Sequence, residues 1–142
     1  MIEIVVLGPP RGKERVKRAA GGAHSYTPER TVTFESKAAL EAQRAMGDRP
    51  PLEGPLGLEV RMVFPVPESK SAKFKRDALA GRIRPTVKPD WDNGGKLSDA
   101  LNLIVWVDDK QIVEALVTKV YGQKPGMWMK VWPIEIGEGV FG

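Results

Sequence analysis

Five carboxylates fall within the twenty residues from 90 to 109: Asp90, Asp92, Asp99, Asp108 and Asp109. The chain carries 22 Lys and Arg against 18 Asp and Glu, so this is a local reversal of sign. Asp90-Trp91-Asp92 sets two acids at i and i+2, and on an extended chain both side chains point to one face. Asp108-Asp109 reads as the tip of a hairpin built from residues 103–107 and 112–121, which can fold back beside Asp92. Carboxylates converging on one point raise each other's pKa, and a divalent cation removes that penalty. Mg²⁺ suits such a group: it takes a few carboxylates, keeps several waters and leaves positions open for phosphate oxygens. Mn²⁺ is a possible substitute of the same hard type.

Two absences narrow the chemistry. The chain has no cysteine, which excludes disulfides, Cys-zinc sites and thiol catalysis. It has one histidine, His24, which excludes H-E-x-x-H zinc sites and two-histidine acid/base pairs. Any metal site must rest mainly on carboxylates.

Cations surround the acids. Residues 70–88 carry Lys70, Lys73, Lys75, Arg76, Arg82, Arg84 and Lys88 against the single acid Asp77. A second basic stretch holds Arg11, Lys13, Arg15, Lys17 and Arg18. Of these, Lys73, Lys75, Arg76, Arg84 and Lys88, with the five N-terminal cations, are the candidate DNA-phosphate contacts. Carboxylates alone repel a phosphodiester, whereas carboxylates holding Mg²⁺ and flanked by cations attract one. The metal can then polarise the phosphoryl oxygen and generate a hydroxide nucleophile.

Each piece also has a plainer reading. Residues 11–22 suit a solvated loop as well as a phosphate-binding arm. Asp108-Asp109 is by default a hairpin turn. Lys96, four residues beyond Asp92, suits a helix ion pair. Asp99 fits a helix surface better than a ligand, and His24 a loop. Trp106, Trp128 and Trp132 suit core or dimer packing, while Trp91 is open.

The elements that must position these groups fit one small domain over residues 1–142, with a basic loop at 10–25 and a tail at 137–142. The length of 142 residues buries enough surface for one core without staples. Strands are expected at residues 2–7, 56–64, 103–107, 112–121 and 127–136 from apolar runs and alternation. A helix capped by Thr31 or Thr33 should reach Met46, with Phe34, Ala38, Ala42, Ala45 and Met46 on one face. A short helix is expected at 71–80, stopped by Gly81. The 88–102 segment should begin extended and turn helical near Lys96. The fold class is therefore α/β (α+β): a mixed β-sheet with a β-hairpin and two or three helices. No apolar run approaches the ~20 residues needed to span a bilayer, and no targeting segment is visible, so a cytoplasmic location is expected.

The ordered set Lys88-Pro89-Asp90-Trp91-Asp92-Asn93-x-x-Lys96, Asp99-Ala100-Leu101-Asn102 and Val107-Asp108-Asp109-x-Gln111-Ile112 closely resembles the RusA family of Holliday-junction resolvases. The resemblance runs to about residue 136 and includes Gly8-Pro9, Tyr26-Thr27-Pro28 and Lys119-x-Tyr121. It implies a homodimeric, divalent-metal-dependent endonuclease that resolves four-way DNA junctions by paired nicks in recombination and repair, nucleoid-associated and bacterial or prophage-encoded. The family's essential acids match Asp90, Asp92 and Asp109, and its catalytic lysine matches Lys96. Three departures stand out. Gly94-Gly95 replaces bulkier apolar residues, Lys96 to Asp99 is one residue short, and Leu103 follows Asn102 where glycine is common. The shortened spacing keeps a second reading open, a branched-DNA-binding dimer with weak or no catalysis.

Overall fold

The computed structural model describes residues 1–10, 17–18, 25–26 and 29–135, the backbone alone at 17–18, 25–26, 29–33 and 96–97. Four strands form the main sheet: β1 (Ile2–Leu7), β4 (Leu56–Phe64), β5 (Ile112–Tyr121) and β6 (Gly126–Pro133). Their spatial order is β1-β6-β4-β5. β6 lies antiparallel to both neighbours, and β4 and β5 are parallel, so the sheet is mixed as expected. Two short strands, β2 (Lys17–Arg18) and β3 (Ser25–Tyr26), pair separately. The helices are α1 (Glu29–Met46), α2 (Ala72–Leu79) and α3 (Trp91–Lys96).

Alternation along the strands makes one face of the sheet apolar. Ile4, Met129 and Val60 lie in register across β1, β6 and β4, and all are buried. Phe34, Ala38, Ala42 and Met46 cover this face from α1, the helical spacing read in the sequence. α1 begins at Glu29, before either expected capping threonine, so Thr31 and Thr33 lie inside it. α2 matches its expectation. Ser71 Oγ accepts from the Phe74 N–H at 3.1 Å, and Gly81 follows the helix at φ +81°. That left-handed conformation costs glycine nothing.

The opposite face of the sheet carries the other half of the alternation. Trp128 is 43% exposed and Leu116 59% exposed there. Trp132 lies on the same side, its indole against Gly57, its partner on β4; a Cβ at Gly57 would clash with that indole. Trp128 and Trp132 are therefore not core residues. Trp106 is, with no exposed surface.

The expected hairpin does not form. Residues 103–107 are a compact turn, and β5 takes its ladder from β4 instead. The apolar run there serves as a plug. Leu101, Val105 and Trp106 are wholly buried, and Trp106 Nε1 donates to Asn102 Oδ1 at 2.7 Å. The turn closes with the Leu103 N–H donating to the Trp106 carbonyl at 2.6 Å. A short apolar run does not by itself distinguish such a plug from a strand. The last strand also ends at Pro133, earlier than expected. The tail at 137–142 lies outside the described residues.

Candidate active site

The segment after Lys88 enters the site through a buried Pro89, joined to Lys88 by a cis peptide bond. The helix starts at once. Asp90 precedes α3 and its carbonyl accepts from the Asn93 N–H at 3.1 Å, while Asp92 falls in the first turn. The expectation of an extended Asp90-Trp91-Asp92 with both acids on one strand face is thus overturned. A carboxylate in the first turn complements the helix dipole, which favours starting there. Lys96 is the last residue of α3, and its side chain lies outside the described residues.

Gly94 explains how α3 comes so close to the sheet. A Cβ there would lie 3.2 Å from Met62 Sδ and 3.3 Å from Val60 Cγ1, both on the apolar face of β4. A larger side chain would lift the helix that carries Asp92. Gly95 has open space where its Cβ would be.

A 3-10 turn over Leu97–Leu101 follows α3, and a second one, Asp109–Gln111, leads into β5. These two turns meet. The Asp109 carboxyl is pushed up to about 6, first by its hydrogen bond with Asp99, then by that with Asp108, with burial and like charge adding to both. Asp108 is held below its ordinary range, chiefly by the Lys110 N–H, which donates to its Oδ1 at 3.0 Å. The sequence reading placed Asp99 on a helix surface. It stands instead beside Asp109, because the 3-10 turn redirects it.

Gln111 fixes this corner. Its Oε1 accepts from the N–H groups of Val107 (2.9 Å) and Asp108 (3.1 Å). Its Nε2 donates to the carbonyls of Leu52 (2.9 Å) and Gly54 (3.0 Å). One amide therefore ties the Asp108-Asp109 turn to the loop before β4. The signal was present in Asp108-x-x-Gln111, a capping-box spacing. Just beyond, the β4–β5 register slips between Leu56 and Gly57, leaving Val113 as the extra residue of a bulge. Bulges often re-aim a strand beside a functional site.

Among the described residues, no three His, Cys, Asp or Glu side chains stand close enough to hold a metal ion by themselves. The donor chemistry still suits Mg²⁺, which is commonly held by one or two carboxylates and completed by waters and substrate phosphates. Two carboxyls pressed together at Asp99 and Asp109 form such a hard-oxygen pair.

The expected cations divide into three groups. Lys73 and Arg76 are exposed on α2, Lys88 is exposed before α3, and Lys75 pairs with Glu68 at 3.6 Å. Arg84 Nη1 donates to the Lys119 carbonyl at 3.2 Å. Lys17 and Arg18 form β2, while Arg11, Lys13, Arg15 and His24 lie outside the described residues.

Residues 8–131 match the family Endodeoxyribonuclease RusA. The chain belongs to the RusA endodeoxyribonuclease family. A relative in Bacillus subtilis (strain 168), the uncharacterized protein YqaN, is 38% identical over 128 residues, covering 87% of this chain and 85% of its own. The RusA match contains every acid of the cluster and both 3-10 turns. Among the described residues, no helix is long and apolar enough to cross a membrane.

Proposed function

We propose that the protein is a Mg²⁺-dependent endonuclease, with Mn²⁺ able to substitute, that resolves four-way DNA junctions by paired symmetric nicks. It acts as a homodimer on bacterial or prophage DNA in recombination and repair, in the cytoplasm. The observation that carries this reading is the crowding of Asp109 by Asp99 and Asp108 in a chain of the RusA family. A corner of like charges is held together there by a four-bonded Gln111. Such an arrangement costs stability unless a cation belongs in it.

The family resemblance assigns the ion to Asp90, Asp92 and Asp109. Among the described residues these three do not stand together as one ligand group. Asp109, with Asp99 beside it, would therefore hold the ion first, completed by water and substrate phosphate, and Asp90 and Asp92 would join it only as the substrate binds. When bound, the ion polarises the scissile phosphoryl oxygen and lowers the pKa of the attacking water. Lys96 stabilises the charge that develops on the phosphoryl oxygens. Lys73, Lys75, Arg76, Arg84 and Lys88 neutralise backbone phosphates on the approach, without reading sequence.

The dimer reading draws on the outer face of the sheet. Trp128 sits there among Glu3, Glu59, Arg61 and Lys130. An apolar anchor ringed by two acids and two bases can complement its own copy across a two-fold axis. A C₂ dimer then offers one site to each of two opposing strands.

The test is a synthetic four-way junction incubated with protein and Mg²⁺ or Mn²⁺. Symmetric nicks lost in Asp92→Asn and Asp109→Asn are expected. Tight binding without nicking under either metal would replace this reading with that of a non-catalytic branched-DNA-binding dimer.

A further inference from the structure

Beyond the acids, the fold holds a cavity of about 440 Å³ between the ends of β4 and β5, α2 and the 83–88 segment. Phe64, Phe74 and Tyr121 line it, with Lys70, Arg84 and Lys88 around them. None of the described residues lining it is acidic. The wall is built rather than incidental. Lys119 Nζ donates to the Val87 carbonyl at 2.6 Å, and Arg84 returns a bond to the Lys119 carbonyl. Phe74 and Tyr121 meet edge to face with centroids 6.0 Å apart. The cavity opens two residues before Asp90, and Pro9 and Pro10 on its other side lead into the N-terminal basic stretch.

An apolar, aromatic interior inside a purely cationic rim is complementary to a flat uncharged ring attached to anions. A nucleobase on a phosphodiester chain has that chemistry. Branched DNA offers such bases where strands exchange, since unstacking costs least at a position already poorly stacked. We propose that this cavity receives an unstacked base of the DNA substrate, with its flanking phosphates on Lys70, Arg84 and Lys88. The inference rests on the nuclease reading above, and it gives that reading a route to sequence preference. A base seated here fixes which phosphate of the same strand lies near Asp90.

The experiment uses the native chain. A four-way junction with 5-iodo-2′-deoxyuridine at the branch point, and the same strand unpaired, are irradiated with the protein, and crosslinked residues are identified by mass spectrometry. Crosslinks at Phe74 or Tyr121 are expected from both probes and not from the same strand in continuous duplex. Crosslinks confined to other residues, or none at all, overturn the cavity. Phe74→Leu, which keeps apolar volume without the ring, should weaken junction binding about five- to a hundredfold relative to duplex. An equal loss on both DNAs also counts against it. Nicking is scored separately. Cavity crosslinks without nicks would remove the nuclease and keep the pocket, and nicks without cavity crosslinks would do the reverse.

Discussion

The carboxyl of Asp109 is hydrogen-bonded to that of Asp99, ten residues earlier in the chain, and this contact is the largest influence on its ionisation. The protonated form of Asp109 donates to its neighbour, so its pKa rises from 3.8 to about 6. Stability from this contact is therefore fully present below the unfolded value and is lost as pH rises through about 6. Asp99→Asn gives Asp109 an amide partner in place of a like charge, and its pKa should fall toward the ordinary carboxylate range. Carboxyl NMR titration in metal-free buffer measures it directly. In the metal-free protein, thermal stability between pH 4 and pH 7 should also decline less for the variant. An unchanged Asp109 titration would show that the pair is not coupled.

Gln111 is bonded to four backbone groups and so links the Asp108-Asp109 turn to the Leu52–Gly54 loop. Gln111→Leu leaves those groups without it, at a cost of about 2–4 kcal/mol if each bond carries a typical share. Gln111→Glu should be worse than its near-identical shape suggests, because it sets a carboxylate oxygen against two carbonyls. Urea unfolding ranks the three chains, and wild type above both variants by less than about 1 kcal/mol would refute the role.

Much of the frame was legible because periodicity is local. Residues 2–7 form a short apolar run, residues 56–64 alternate, α1 shows its apolar face, and α2 its serine cap and glycine stop. The site was less legible because its geometry depends on where two short turns meet. Nothing in the spacing of Asp99 and Asp109 indicates that a 3-10 turn aims one at the other. The apolar run 103–107 reads as a strand in the sequence, and the structure turns it into a plug instead, anchored by the Trp106–Asn102 bond. Asp90-x-Asp92 was found as a pair, but the helix start at Trp91 changes how the two acids are presented. Gly94 stood out in the sequence as a departure from the bulkier apolar residues that the family resemblance implies there, and its use is the close packing of α3 on Met62 and Val60.

Leu103 makes a third prediction. It sits at φ +67° and is 73% exposed, the left-handed conformation at a position where the family commonly has glycine. A side chain there costs roughly 1–2 kcal/mol relative to glycine, and part of this is offset by the greater freedom of glycine in the unfolded chain. Leu103→Gly should stabilise the protein by about 1 kcal/mol with no loss of junction binding. A lower unfolding midpoint would mean that the exposed leucine makes stabilising contacts of its own, for instance with a second subunit.

Trp128 tests the oligomeric state. Its ring stands in register with Val5 on β1 and Arg61 on β4, in the open face opposite the core. If that face joins two copies, Trp128→Glu places a desolvated charge at the centre of the interface and should shift the protein to monomer in sedimentation velocity. The fold should survive, because the side chain contributes nothing to the buried cluster beneath. Junction binding should weaken more than duplex binding, since only the dimer can engage two arms at once. A dimer that persists in Trp128→Glu would move the interface to another surface.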